Sequence, residues 1–151
     1  MLSDCLFCKI VMREAHAHMF YEDDLHIAFL DIYPITKGQT VVIPKKHQSS
    51  YVFSMPNKEY LSLMQASKVV ATTIDTTLKT YRTLMVMEGM EIEHAHIKLY
   101  PVYNIRKRTS NEIGDMKYYD GYISTLHGNR ADESVLASLS KQLKANFSTK
   151  R

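Results

Sequence analysis

The stretch His94-Ala95-His96-Ile97-Lys98-Leu99 places two imidazoles and an ammonium group at every second position of the chain. In a β-strand, successive side chains point to opposite faces, so His94, His96 and Lys98 would share one face at intervals of about 6.6 Å. The apolar residues between them would face a core. Imidazoles bind metals, transfer protons and act as nucleophiles, and an ammonium group attracts phosphate. The stretch therefore predicts a strand with one functional face.

Each member of this face has more than one possible role. His96 is a candidate for nucleophilic or proton-transfer chemistry, because a neutral imidazole is nucleophilic near neutral pH. His94 and His96 could instead ligate one metal ion, or both could be plain surface histidines. Lys98 is either a solvated lysine or a positive charge held against a phosphate. The ordinary lysine pKa of about 10.4 makes it a poor proton shuttle at pH 7.

The only cysteines, Cys5 and Cys8, have the two-residue spacing that lets both sulfurs reach one ion. Zinc commonly takes four nitrogen or sulfur ligands, and His47 and His94 offer the missing pair. Two ordinary thiols are the alternative interpretation. A redox pair is less favoured, because no βαβ pattern surrounds the motif.

Length and composition predict one globular domain. The 151 residues are 45% hydrophobic and carry a net charge of +3, which is too weak to indicate nucleic-acid binding. The basic run 106–108 is interpreted as a solvated loop. No segment approaches the roughly 20 apolar residues of a membrane helix, and a signal-peptide pattern is lacking. We therefore expect a cytoplasmic protein with reduced thiols and neither membrane nor nucleic-acid partners.

Hydrophobic patterning predicts strands, a long helix, more strands and a C-terminal tail that contains a helix. This order favours an α+β fold with an antiparallel sheet. Residues 102–118 are polar and irregular, which indicates a linker or long loop. The predicted strands are Met19–Glu22, Leu25–Ile32, Gln39–Pro44, Leu84–Met87 and His94–Tyr100, and the predicted helices are Asn57–Tyr81 and Asp132–Phe147.

The motifs together resemble the histidine triad (HIT) superfamily of nucleotide hydrolases and transferases. The matching segments cover about residues 5–101 and are Cys5–Ile10, Ala28–Pro34, Gly38–His47 and His94–Leu99. The resemblance implies a five-stranded antiparallel sheet with one long helix, a nucleotide substrate and a homodimer. It divides the chain into a HIT-like core at residues 1–101 and a C-terminal extension at residues 102–151 that packs on the core.

The resemblance also implies residue roles. His96 would attack the α-phosphorus of a nucleoside 5′-phosphate derivative (a phosphoramidate, mixed anhydride or dinucleoside polyphosphate), and water would hydrolyse the nucleotidyl-histidine. Asp31 and Ile32 would line the nucleoside pocket. A structural Zn²⁺ would be held by Cys5, Cys8, His47 and His94. The alternative is a nucleotide-binding module of the same fold with weak catalysis.

Two positions depart from the family pattern. Lys98 stands where the third triad histidine is expected, so its role would be to supply charge. Residues 89–93, with Glu91 and Glu93, replace the usual Gly-Gln-Ser segment, and these carboxylates would repel an anionic substrate unless they point away. Outside the family match, 121–130 is a plausible anion-contacting loop, although a polar turn is favoured. We hypothesise that the tail covers the active site.

Overall fold

In a computed structural model, the chain forms a five-stranded antiparallel sheet packed between helices. The structure describes residues 4–110, 114–119 and 127–148. The sheet has the order β1-β2-β3-β5-β4, which confirms the predicted α+β fold. Its strands are β1 (Met19–Glu22), β2 (His26–Leu30), β3 (Thr40–Pro44), β4 (Arg82–Val86) and β5 (Ile97–Val102).

Both faces of the central strands are covered, and the alternation of side chains explains how. Every residue of β2 and β3 is buried. Ala28 and Leu30 join the larger core on one face. Ile27 and Phe29 lie on the other face, in a smaller core with residues of the short helix α1 (Leu6–Val11). A strand buried on both faces shows a continuous apolar run, which is the pattern in these two segments.

The long helix α2 (Asn57–Leu78) covers the larger core. Its buried apolar positions recur at helical spacing, as predicted, and are Leu63, Ala66, Val70 and Ile74. The helix ends three residues before the predicted end at Tyr81. Lys79, with a φ of 56°, adopts the left-handed conformation that closes helices.

The C-terminal helix α3 (Glu133–Ser148) completes the larger core through Leu136, Leu139 and Leu143. The sequence pattern predicts Val135 on the same apolar face as these leucines, but its side chain is exposed. Among residues 4–110, 114–119 and 127–148, we find no helix with the length and apolar character needed to cross a membrane.

The prediction of a linker or loop over residues 102–118 is wrong for most of that range. Residues Ile105–Ser110 (β6) and Gly114–Tyr119 (β7) pair as a separate two-stranded antiparallel sheet. A ribbon outside the main sheet does not need one apolar face, so the period-two alternation that identifies a strand is missing from its sequence.

Candidate active site and metal centre

Four predicted metal ligands meet at one point. The ligand atoms of Cys5, Cys8, His47 and His94 all lie within 4.8 Å of one another. Cys8 Sγ is 3.3 Å from His47 Nδ1 and 3.5 Å from His94 Nδ1. Tetrahedral zinc, with its usual bond lengths, separates a sulfur from a nitrogen ligand by about 3.5 Å. The donor set and its spacing therefore fit a tetrahedral zinc ion.

Three parts of the fold bring these ligands together. Cys5 is the N-cap of α1 and Cys8 lies one turn later, so the helix fixes their spacing. His47 follows β3, and His94 precedes β5. Ala95 N–H donates to the carbonyl of Gln48 at 3.0 Å, which holds the two histidine segments side by side.

Neither Cys5 nor Cys8 is in a disulfide, so both sulfurs are available to a metal ion. Burial, together with the neighbouring Cys5, raises the pKa of Cys8 to about 11. A zinc ion bound there would stabilise the Cys8 thiolate and displace the proton of that thiol.

His94 presents its Nδ1 atom to the sulfurs because its other nitrogen is occupied. His94 Nε2 lies 2.8 Å from the carbonyl oxygen of Pro44. A carbonyl only accepts, so Nε2 carries the proton and Nδ1 keeps its lone pair. The side chain is fully buried, and burial lowers the pKa of the ring. His94 is therefore a neutral imidazole oriented for metal binding.

His96 has the opposite arrangement. Its Nδ1 lies 2.8 Å from the carbonyl oxygen of His94, so Nδ1 donates and Nε2 keeps the lone pair. In the described part of the chain, Nε2 has no hydrogen-bond partner. Burial and then the charge of Lys98 lower the pKa of His96. The ring is thus a neutral imidazole with an available Nε2 lone pair.

The structure gives no support to the alternative in which His94 and His96 share an ion. Each of their Nδ1 atoms has a different neighbour, a thiol in one case and a backbone carbonyl in the other. His96 belongs to neither group of potential metal ligands among the residues described. Their burial also excludes the interpretation as surface histidines.

Lys98 is buried in an ion pair that sequence analysis did not identify. Its Nζ lies 2.6 Å from Glu88 Oε1 and 3.9 Å from Glu91 Oε2. Glu88 is followed by Gly89, whose φ of 67° and close approach to Ser50 exclude a side chain there. Lys98 is therefore not a solvated lysine, and two carboxylates partly offset its charge.

Glu93 points elsewhere. Its carboxylate accepts hydrogen bonds from the backbone N–H and the hydroxyl of Ser50, at 3.0 and 2.6 Å. These bonds lower the pKa of Glu93. Of the two carboxylates flagged by the sequence, only Glu91 stands next to Lys98.

The segment predicted to line the nucleoside pocket is a tight loop. Asp31 Oδ1 accepts from Tyr33 N–H at 2.8 Å, and Asp31 Oδ2 accepts from Gln39 Nε2 at 2.6 Å. Each carboxylate oxygen retains a further lone pair for a hydroxyl donor. Ile32 is partly buried and packs against the larger core.

The C-terminal extension reaches this loop through residues 127–131. Gly128 N–H donates to Tyr33 O at 2.9 Å, and Ala131 N–H donates to Ile32 O at 2.8 Å. A Cβ atom on Gly128 would overlap the carbonyl oxygen of Pro34. The polar turn expected before the last helix is therefore docked against the predicted pocket. Residues 121–126 of the candidate anion-contacting loop lie outside the described residues.

His127 connects that turn to Glu91, one of the two carboxylates beside Lys98. Its Nε2 lies 3.0 Å from Glu91 Oε2, and its ring stands edge-on to Tyr33 at 5.3 Å. Glu91, His127 and Lys98 thus form one polar group that combines the core with the extension. No periodicity in the sequence could indicate this contact.

Comparison with known proteins identifies relatives over the core. A family model described as HIT domain matches residues 12–104. An uncharacterized HIT-like protein of Borreliella burgdorferi is 35% identical over 105 residues, which cover 65% of this chain and 75% of that protein.

Solved structures extend the similarity to most of the chain. A hypothetical histidine triad nucleotide-binding protein from Sulfolobus tokodaii has a TM-score of 0.76 at 25% identity, over 96% of this chain and 93% of the other. A HIT family hydrolase from Clostridium thermocellum has a TM-score of 0.60 at 25% identity, over 69% and 95% of the two chains.

Proposed function

The chain belongs to the HIT domain family, and we propose that it hydrolyses a nucleoside 5′-phosphate derivative at the α-phosphate through a covalent bond to His96. Its fold is that of HIT family hydrolases and nucleotide-binding proteins. The observation that carries the proposal is the 2.8 Å contact between His96 Nδ1 and the carbonyl of His94. It fixes the tautomer whose Nε2 lone pair is free to attack.

In the first step, Nε2 of His96 bonds to the α-phosphorus while the bond to the leaving group breaks. The imidazole becomes positively charged as the P–N bond forms, and the His94 carbonyl, already bonded to Nδ1–H, stabilises that charge. Water then attacks the same phosphorus and displaces Nε2. The leaving group departs with the electron pair of the broken bond, and the attacking water releases its proton to the leaving group or to solvent. The products are a nucleoside monophosphate, the free leaving group and the original neutral imidazole.

Lys98 would supply positive charge beside the phosphate rather than move a proton. Phosphoryl transfer depends mainly on positioning and on stabilising charge at the phosphate oxygens. Glu88 holds the Lys98 ammonium at 2.6 Å and so fixes its position. Asp31 would accept from ribose hydroxyls, with Ile32 against the base or sugar.

The four ligands Cys5, Cys8, His47 and His94 would hold a structural Zn²⁺. Bound there, the ion supplies a crosslink between α1 and the segments that follow β3 and precede β5. His94 would then be fixed at both ring nitrogens, and its backbone carbonyl would position the ring of His96. The metal site would support catalysis through His96 without contacting the substrate.

A nucleotide-binding module with weak catalysis is the second candidate. The Glu88–Lys98 pair favours it, because a lysine neutralised at 2.6 Å has less charge to offer a phosphate. The homodimer, the cytoplasmic location and the division at residue 101 remain predictions.

The test is incubation of the protein with adenosine 5′-phosphoramidate and dinucleoside polyphosphates, followed by mass spectrometry of the intact chain. We expect turnover and a nucleotidyl adduct that is absent from the His96→Ala variant. Thermal stabilisation by nucleotides without turnover or adduct on the whole panel would establish the second candidate instead.

A further inference from the structure

A second group of potential metal ligands lies where the C-terminal helix meets the segment before β1. It consists of His16, His18 and Glu133, whose ligand atoms lie within 4.8 Å of one another. Glu133 Oε1 is 3.3 Å from His16 Nε2 and 2.8 Å from His18 Nε2. Both ring nitrogens therefore approach the same carboxylate oxygen.

The two histidines flank Ala17 in the segment that leads into β1. Ala17 packs against the smaller core, while the rings of His16 and His18 stand edge-to-face at 4.9 Å. The chain thus forms a two-imidazole face opposite the first residue of α3.

His18 provides an independent indication of a missing ligand. Its side chain is only 6% exposed, and its buried Nε2 has no hydrogen-bond partner in the described part of the chain. Glu133 Oε1 lies 2.8 Å from this nitrogen, but it does not lie in the direction in which an N–H bond on the ring would point. A buried nitrogen without a partner is destabilising, and such groups in native proteins commonly bind an ion or a water molecule.

The other contacts of Glu133 leave its Oε1 atom to the imidazoles. Arg130 Nη2 lies 3.6 Å from Oε2, on the other side of the carboxylate. Two histidines and one glutamate form a donor set that zinc uses, with water in the fourth position. The exposed side chain of His16 leaves that position open to solvent.

We infer that His16, His18 and Glu133 bind a divalent transition-metal ion, which the chemistry of the donor set identifies as Zn²⁺. This site is separate from the cluster of Cys5, Cys8, His47 and His94, called the cysteine cluster below. Nitrogen and oxygen ligands of tetrahedral zinc lie about 3.3 Å apart, so His16 is already at ligand distance. The Glu133 oxygen would withdraw from His18 by about 0.5 Å. The ion would fasten α3 to the segment that leads into the edge strand β1.

This position gives the site a mechanical role. Ser140 of α3 donates to the carbonyl of Met19 in β1 at 3.0 Å, so the helix already lies along that strand. Glu133 lies two residues after the end of the docked segment 127–131. Metal binding would therefore restrict the motion of both α3 and the turn at residues 127–131 that precedes it.

The experiment is a Co²⁺ titration of the full chain after saturation with Zn²⁺ and dialysis. Total zinc is measured first, and binding is followed by calorimetry and visible absorption. Thiolate-to-cobalt charge transfer reports only the cysteine cluster, so the two sites remain distinguishable even if the cluster binds no metal. We expect one equivalent bound by nitrogen and oxygen ligands, with affinity at least about tenfold weaker in His16→Ala and Glu133→Gln.

The matched control is Glu14→Gln, which removes an exposed carboxylate two residues before His16 in the sequence and outside the cluster. It should bind like the wild type. Excess Zn²⁺ at 100 times the wild-type Kd should raise the Tm of the wild type and control by roughly 5 °C, and should raise the Tm of Glu133→Gln by no more than about half as much. Equal affinity and stoichiometry in the wild type and Glu133→Gln, or no such equivalent in the wild type, would overturn the inference.

Discussion

His94 and His96 lie two residues apart, are both buried and both bond to a backbone carbonyl, yet they present opposite ring nitrogens. His94 uses Nε2 for Pro44 and turns Nδ1 toward the cysteines. His96 uses Nδ1 for His94 and leaves Nε2 available. The residue type is the same in the two regions. The carbonyl that each ring meets determines whether it is suited to hold a metal or to attack phosphorus.

The surroundings of the two rings strengthen this difference. The His94 region consists of thiols and imidazoles, which are ligands for a soft or borderline ion. The region beyond His96 contains the Lys98 ammonium group and His127, which can face an anionic substrate. The carboxylates of Glu88 and Glu91 hold these two side chains in place. We expect variants of the first region to change stability and metal content, and variants of the second to change turnover.

The largest effect should come from His96→Asn, because it tests the proposed nucleophile alone. Asparagine keeps an amide nitrogen near the position of Nδ1 but has no counterpart of Nε2. Turnover should fall at least about 10³-fold, with no nucleotidyl adduct in the intact mass. Zinc content and Tm should match the wild type. Substantial remaining turnover would place the covalent step elsewhere.

Cys8→Ser should produce the reverse pattern. Removal of one thiolate should abolish stoichiometric zinc and lower the Tm by roughly 10 °C, because metal binding contributes to folding. Turnover measured below that Tm should remain within about tenfold of the wild type. Zinc analysis, calorimetry and steady-state kinetics check this. Loss of turnover at an unchanged Tm would instead indicate that the metal takes part in the chemistry.

Lys98→Met tests whether the ammonium group acts on the phosphate. We expect kcat/KM to fall about 100-fold, as for the loss of one oxyanion donor. The variant also leaves Glu88 without its ammonium partner, so Glu88→Gln is added as a second substitution. If charge on the phosphate is the cause, the double variant stays impaired. Recovery of kcat/KM in the double variant would show that the Glu88 carboxylate, left without Lys98, caused the loss.

The smallest effect should come from His127→Ala, which tests whether the extension belongs to the catalytic region. Its contact with Glu91 is a half-exposed pair, and such pairs contribute little. KM should rise about threefold with an unchanged Tm. Asn129→Ala, an exposed neighbour, is the control and should match the wild type. Identical kinetics for both variants would separate the extension from the site.

The fold could be predicted from the sequence because its signals are local. β1 has the predicted bounds, and α2 begins at the predicted residue, since alternation and helical spacing occur within each segment. The cysteine cluster was likewise predictable, because zinc requires few ligand types at restricted spacings. β5 begins at Ile97, three residues after the predicted start at His94, yet Ala95, Ile97 and Leu99 all face the larger core.

The missed features depend on contacts that form only after folding. Glu88 stands beside Lys98 because a glycine turn returns the chain toward β5. His127 meets Glu91 across 36 residues without any shared pattern. The choice of ring nitrogen in His94 and His96 depends on backbone carbonyls, which every residue possesses. The sequence therefore predicted which side chains belong to the candidate site, but it did not determine how those side chains are oriented.

Gly128 has a consequence for how this protein can change in evolution. Its missing Cβ allows the turn to lie against Pro34, and two backbone hydrogen bonds then hold the turn in place. Because these contacts involve only backbone atoms, the identity of residue 127 is free to vary without undocking the segment. The side chain that contacts Glu91 can thus change during evolution while the proposed nucleophile and the proposed metal ligands stay constant. A single methyl group at position 128 would end that freedom.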